Sequence, residues 1–437
     1  MTDRITRGRS PAPAQAATAE AAPVEAAPVE AAPLVVAGPV KSALRLAALN
    51  DAAARLGLQP GMALADARAM YPALTVADAD PEADRRLLEA IADWCDRYTP
   101  LVGLDPPDGL VLDITGCAHL FGGEAALCDD IVGRLARQGL RARAAVADTV
   151  GCAWGVARYG TASGVASGQT REALMGLPLA ALRIAPETGD ALAQVGLKRI
   201  ADAIDRPRAP LAARFGEDFV RRLDQALGRD DEPIAPRLPI PPYVAERRFA
   251  DPILLETDVL GTIEHLAHEL DRLLERRGDG ARRLQIALFR TDGKVHRIEV
   301  GTGAPLREAA RIRSLFAERL AALGDACDPG FGFDVVRLCA LVTEPQNPVQ
   351  TGLVAPDHAA ELAHLIDRLG ARFGLRRVAR LAPQDTHIPE FAVAAVPAHA
   401  ARHAAAPTMD RGEQDSLGPI RPVRLFARPE PVEATAE

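Results

Sequence analysis

Hydrophobic and polar positions alternate through Pro100 to Gly116: Leu110, Leu112 and Ile114 fall on one side of a strand, and Val111, Asp113 and Thr115 on the other. Pro106-Pro107-Asp108-Gly109 just before them is turn chemistry, with φ fixed by proline and a permissive backbone at glycine. The stretch therefore predicts strand, turn, strand. Upstream, residues 33–38 predict a short strand, and an apolar stretch, Ala43 to Leu49, leads to Asn50, a helix N-cap for 51–56 with Gly57 as the stop. Helices are predicted over 61–70 and over 81–98, the second carrying Leu87, Leu88, Ile91, Trp94 and Cys95 at helical spacing. After the central strands come a helix over 124–137, a strand over 142–147 and a helix over 150–158. Helix, strand, strand, helix, strand suits an antiparallel sheet with helices on one face, a palm-like α/β domain.

Residues 166–235 break into short helical segments punctuated by glycine and proline, a small all-α unit. Five prolines between Pro233 and Pro242 mark a stiff linker. Beyond it, a strand at 246–249, a helix over 259–277, strands over 283–290 and 294–301 about an Asp292-Gly293 turn, a helix over 306–323 and a strand over 333–342 make a second, independent split βαβ unit. After Glu344 the pattern weakens to one helix, 359–373, and a Pro/Ala-rich mobile remainder. Residues 1–33, with AAPVE repeated in tandem, predict a disordered tail, because such a segment buries too little surface to offset its ordering entropy.

Composition narrows the function classes. A chain of 437 residues supports several cores. Six scattered cysteines without a CxxC pair read as buried, reduced thiols rather than a zinc site or disulfide framework. No run approaches the ~18 apolar residues of a membrane span, and the N-terminus lacks a secretion signal, so a cytoplasmic protein without membrane contact is expected. A net charge of -8 excludes a coat of positive charge; any DNA contact must be local.

The central stretch resembles the second acidic motif of Y-family DNA polymerases, a Ser-Ile-Asp-Glu-Ala turn leading to Leu-Asp-(Leu/Val)-Thr-Gly. Asp108 matches the first carboxylate, Gly109 replaces the second, and Leu112 to Gly116 match the end. Asn50 to Gly57 with Pro60-Gly61-Met62 resemble the fingers, 183–203 with Arg214-Phe215-Gly216 the thumb, and Glu246 to Phe249 the start of the little finger. His119 to Glu124, Ala147-Asp148-Thr149, Asp328 to Gly332 and Arg424 to Pro431 resemble one subgroup, ImuB, the polymerase-like subunits of bacterial mutagenesis cassettes. The resemblance implies an α+β multidomain fold: a palm with a ferredoxin-like antiparallel sheet plus helices, small fingers, an all-α thumb and a split-βαβ little finger. The corresponding segments are a tail 1–33, fingers 34–80, palm 81–165, thumb 166–235, linker 236–243, little finger 244–344 and a partner-binding region 345–437.

What the resemblance implies chemically is a degenerate polymerase. Nucleotidyl transfer needs two metal ions held by clustered carboxylates, yet no apolar strand with paired aspartates lies upstream of Leu34, and Gly109 removes the second motif's glutamate. Asp108 reads either as a turn residue or as a relic acidic position. Where the family grips triphosphate with Tyr and Arg stand Asp51 and Ala54, with Arg55 one position off, and its palm Asn-Lys pair corresponds to Thr149 and Val150. Both thumb hairpin glycines are gone at Arg183-Ile184-Ala185, leaving Gly196. No catalytic residue, cofactor or metal site is expected. The implied function is an adaptor in damage-induced (SOS) translesion synthesis joining an error-prone DnaE-type polymerase, an ImuA-type RecA-like protein and the sliding clamp. The alternative is an active Y-family polymerase using Asp108, Asp113 and another carboxylate. Arg247, Arg248, Arg283, Arg290, Lys294 and Arg297, together with Arg282, form either a weak primer-template DNA face or an ordinary solvated one. Gln414 and Leu417 are the nearest match to a clamp-binding peptide, without its aromatic anchor; Leu425-Phe426 is an apolar pair without the glutamine.

Overall fold

Leu34-Val35-Val36-Ala37 is buried along its length and forms β1 (Leu34–Val40), the middle of a three-stranded sheet. It pairs antiparallel with β2 (Ala43–Leu49) and parallel with β3 (Thr75–Asp78). Asn50 caps the Asp51–Arg55 helix, its side-chain oxygen accepting the amides of Ala53 and Leu34 at 3.0 Å each, and Gly57 closes it at φ 82°. Val35, Leu46, Leu58 and Leu64 make the core of this part. The computed structural model describes residues 2–9, 32–346, 358–384, 391 and 393–398. They fall into two compact units that divide inside the proline-rich stretch: Met1–Ile240 with Asp292–Lys294, and Pro241–Thr291 with Val295–Glu437.

In the first unit, β4 (Val102–Asp105) and β5 (Gly109–Leu112) form the expected hairpin, flanked by the Pro81–Cys95 and Glu124–Arg137 helices. The predicted strand over 142–147 is corrected: these residues form no strand, and only Val146 makes a bridge, to Gly164. No neighbouring strand offers the others a ladder. The tail reading is corrected for residues 2–9, since Thr2–Arg9 is a helix fastened by Arg4 to Asp84 at 2.8 Å and by Asp3, which accepts the Arg141 amide at 2.8 Å; residues 10–31 of that reading lie outside the described residues. The all-α part packs Leu174, Leu182, Leu192, Ile200, Phe219 and Leu223 together. At Gly151 the Val150–Tyr159 helix approaches so closely that a Cβ would stand 2.8 Å from the Cα of Ala226. The stretch after it is not a free spacer: the Arg237 amide donates to the Val102 carbonyl at 2.9 Å, and its guanidinium meets Asp93 at 2.5 Å and Asp96 at 3.3 Å.

The second unit is the predicted split βαβ fold. β6 (Tyr243–Ile253), β7 (Asp279–Arg290), β8 (Val295–Leu306) and β9 (Phe333–Pro345) form an antiparallel sheet in the order β6-β9-β7-β8. The Glu256–Glu275 and Ala309–Leu323 helices bury Ile263, Leu270, Ile312 and Phe316 against Leu284, Ile286, Leu288 and Leu338. Strand β6 is longer than expected. Beyond the His358–Phe373 helix, a pair of strands, β10 (Ala379–Pro383) and β11 (Val393–Pro397), stands in the region read as mobile.

Candidate functional site

The β4–β5 turn is where a polymerase-like chemistry would have to sit, and its side chains are already engaged. Asp108, 63% exposed, is bound by Arg158, whose guanidinium donates at 2.6 and 3.3 Å and lies 4.6 Å over the ring of Trp154. The Trp154 indole donates in turn to Asp105 at 2.6 Å. The hydrogen bond that Arg158 donates to Asp108 raises the guanidinium's pKa, against the opposing effect of burial. Position 109 has no room for a side chain: a Cβ there would stand 2.7 Å from the Asp105 carboxylate and 2.9 Å from the Asp105 carbonyl. Asp113 caps its own turn, accepting the Thr115 amide at 2.9 Å. Among the described residues no three His, Cys, Asp or Glu side chains gather to hold a metal ion.

The other positions read as a lost phosphate grip are equally committed. Asp51 is ion-paired with Arg141. Thr149 caps the Val150–Tyr159 helix, accepting the Cys152 amide at 3.1 Å while donating to the Ala226 carbonyl at 2.8 Å. Arg183, in a left-handed conformation at φ 59°, pairs with Glu232 at 2.6 Å, and Gly196 at φ 82° ends the Pro186–Gln194 helix. Burial pushes the thiol of Cys95 up to about 12 and those of Cys152 and Cys339 up to about 11, so these cysteines are inert packing.

In the second unit the register sorts the six basic candidates. Glu246, Arg337, Ala287 and Arg297 form one row across the sheet, and Arg248, Val335, Phe289 and Val295 the next, on the face away from the helices. Arg283 shares that face by alternation, 3.8 Å from Glu299. Arg248, Arg283 and Arg297 therefore share one face but are spread over it, Arg248 on the edge strand β6, where it pairs with Glu246 at 2.8 Å, and Arg297 on the opposite edge strand β8. Arg247 points to the opposite side, over the Phe249 ring. Arg290 is only 8% exposed and donates to the Asp328 carbonyl at 3.0 Å, a link within the fold. Lys294 is exposed beside the hairpin tip, and Arg282 donates to the Gly303 carbonyl at 2.8 Å.

Two features had no signal in the periodicity. Arg337, inside an apolar run, pairs with Glu246 at 2.7 Å and lies 5.3 Å over Phe289. A groove of about 400 Å³ gathers Arg283, Arg319, Arg376 and Arg377 around Glu299. Gln414, Leu417 and Leu425-Phe426 lie outside the described residues.

Comparison with known proteins gives consistent matches. Residues 15–158 match the impB/mucB/samB family. Over 385 residues the chain is 42% identical to Protein ImuB of Caulobacter vibrioides, in strain NA1000 / CB15N and again in strain ATCC 19089 / CIP 103742 / CB 15, with 87% of this chain and 81% of each relative covered. Similar solved structures include DinB from Sulfolobus solfataricus, at 16% identity and a TM-score of 0.41, covering 72% of this chain and 93% of that one. An insertion ternary complex of Dbh DNA polymerase stands at 16% identity and a TM-score of 0.42, covering 71% of this chain and 92% of that one.

Proposed function

The chain belongs to the ImuB family, and from that premise we propose that it is a non-catalytic adaptor in damage-induced translesion synthesis and mutagenesis. It works in the cytoplasm, joining an error-prone DnaE-type polymerase, an ImuA-type RecA-like protein and the sliding clamp. The observation that carries this reading is the β4–β5 turn: Asp108 is neutralised by Arg158, and position 109 is too tight for a second carboxylate. Two-metal phosphoryl transfer depends on such carboxylates standing free and clustered. A chain that keeps the two-unit frame while its turn carboxylate is tied to an arginine is suited to holding other proteins in place.

DNA contact is a secondary part of the reading. Arg283, Arg319, Arg376 and Arg377 at the groove, with Arg248 and Arg297 farther out on the same sheet face as Arg283, offer basic positions within an acidic chain. Such contacts read phosphates rather than sequence and weaken with salt. Clamp contact falls to the C-terminal region around Gln414 and Leu417. The adaptor reading is tested by co-purification of the full chain with the purified clamp, DnaE-type polymerase and ImuA-type protein, beside a chain lacking residues 344–437. The full chain retains all three, and the shortened one loses the clamp. Retention of none would leave a decayed polymerase without partners.

A further inference from the structure

The His358–Phe373 helix is followed by Gly374, which turns at φ 99° and donates its amide to the Gly370 carbonyl at 2.9 Å. Past that turn Leu375 folds back so closely over two glycines that a Cβ at Gly301 or at Gly370 would stand 3.0 Å from its methyl groups. The next two residues, Arg376 and Arg377, are left exposed on the rim. Between this turn and the β8 edge of the sheet lies the groove of about 400 Å³, floored by the buried Val300 and Ala371 together with Leu375. Arg283 and Glu299 line it from β7 and β8, and Arg319 lines it from the Ala309–Leu323 helix.

The charges in this groove do not balance. Glu299 is the one carboxylate among the lining residues, and it already accepts from Gln285 at 2.9 Å and stands 3.8 Å from Arg283. Glu318, next to Arg319 in the chain, is taken by Arg368 and by Arg372, the latter at 3.0 Å. Arg319, Arg376 and Arg377 make no side-chain hydrogen bond or ion pair among the described residues, although Arg319 is half-buried. A guanidinium drawn out of water wants an anion, and its planar fork of donors matches phosphate oxygens two at a time. Three such forks around one hollow suit phosphates in series. At the lip Phe373 is 53% exposed, an aromatic face on which a base can stack. We propose that the groove binds a nucleoside polyphosphate, with Arg319, Arg376 and Arg377 on its phosphates and the base on the Phe373 ring. The volume is that of a small-molecule site. A DNA duplex presents phosphates but keeps its bases stacked inside, which leaves the ring and the apolar floor unused.

The site is tested on the full chain by equilibrium dialysis at low salt, with ATP, pyrophosphate and adenosine as probes beside a primer-template duplex. ATP is expected to saturate below about 1 mM, with pyrophosphate competing and adenosine binding far more weakly. Arg376→Gln together with Arg377→Gln, both exposed, weakens ATP and pyrophosphate at least about tenfold at an unchanged melting temperature. Phe373→Ala weakens ATP and spares pyrophosphate. Arg247→Gln with Arg248→Gln, on β6 at the other edge of the sheet, changes neither. Absence of saturable ATP binding overturns the proposal, and so does unchanged affinity in the Arg376/Arg377 variant. Equal weakening by the β6 pair overturns it by reducing the effect to charge alone, and ATP binding indifferent to Phe373→Ala overturns the nucleoside assignment. Duplex binding that the groove variants abolish, without ATP binding, gives the groove to DNA instead. None of these outcomes touches the adaptor reading, which rests on Asp108 and Gly109.

Discussion

Gly109 and Asp108 are adjacent and tolerate change very differently. A side chain at 109 must push against the Asp105 backbone, which cannot swing aside. Gly109→Glu is expected to lower stability by about 1–3 kcal/mol in a denaturant melt without creating nucleotide incorporation. Asp108→Ala removes an ion pair whose carboxylate is 63% exposed, so its cost stays within about 1 kcal/mol. Equal losses in the two variants would show that the turn is not the constraint described here. The glycine at 109 was readable as a missing carboxylate; that it is also a steric necessity came only from the approach of Asp105. Likewise, Asp108 could be read as turn or relic, and only the fold brings Arg158, fifty residues away, onto it.

At the scale of elements, local signals were legible and pairings were not. Asn50 and Gly57 bound their helix as their own chemistry dictates, and the Glu124–Arg137 helix follows its apolar spacing. Residues 142–147 carry strand composition, but a ladder needs a neighbour, and theirs is a hollow. Arg337 hid inside an apolar run, because a single arginine does not disturb period-two patterning. The His358–Phe373 helix docks through Asp367, 8% exposed, which accepts the Gly303 amide at 2.7 Å. Burial pushes this carboxyl from 3.8 up to about 6, with the Gly303 hydrogen bond and Arg282 and Arg311 opposing. The folded state thus holds a proton that the unfolded chain releases. Stability is greatest below pH 3.8 on this account and falls as pH rises to about 6, by about 3 kcal/mol in all. Asp367→Asn keeps the acceptor and removes the charge, so the fall is expected to vanish when wild type and variant are compared by amide exchange of this helix across that range. An unchanged pH profile in the variant would assign the effect elsewhere.

For the whole molecule, an acidic chain with a confined basic surface is expected to bind primer-template DNA only at low salt. Replacing Arg248, Arg283 and Arg297 with alanine together should reduce the slope of log K against log salt by about 2 to 3, one phosphate contact each. An unchanged slope would make that sheet face an ordinary solvated one. The division into two units was legible from five clustered prolines, but the fastening of Arg237 to β4 was not, since linker composition says nothing of what it lies against. The central claim is that this polymerase-like frame performs no nucleotidyl transfer, and primer extension with purified chain and either magnesium or manganese tests it most directly. The account predicts no incorporation above a no-enzyme control with either metal; template-directed extension that disappears on Asp108→Ala would contradict it.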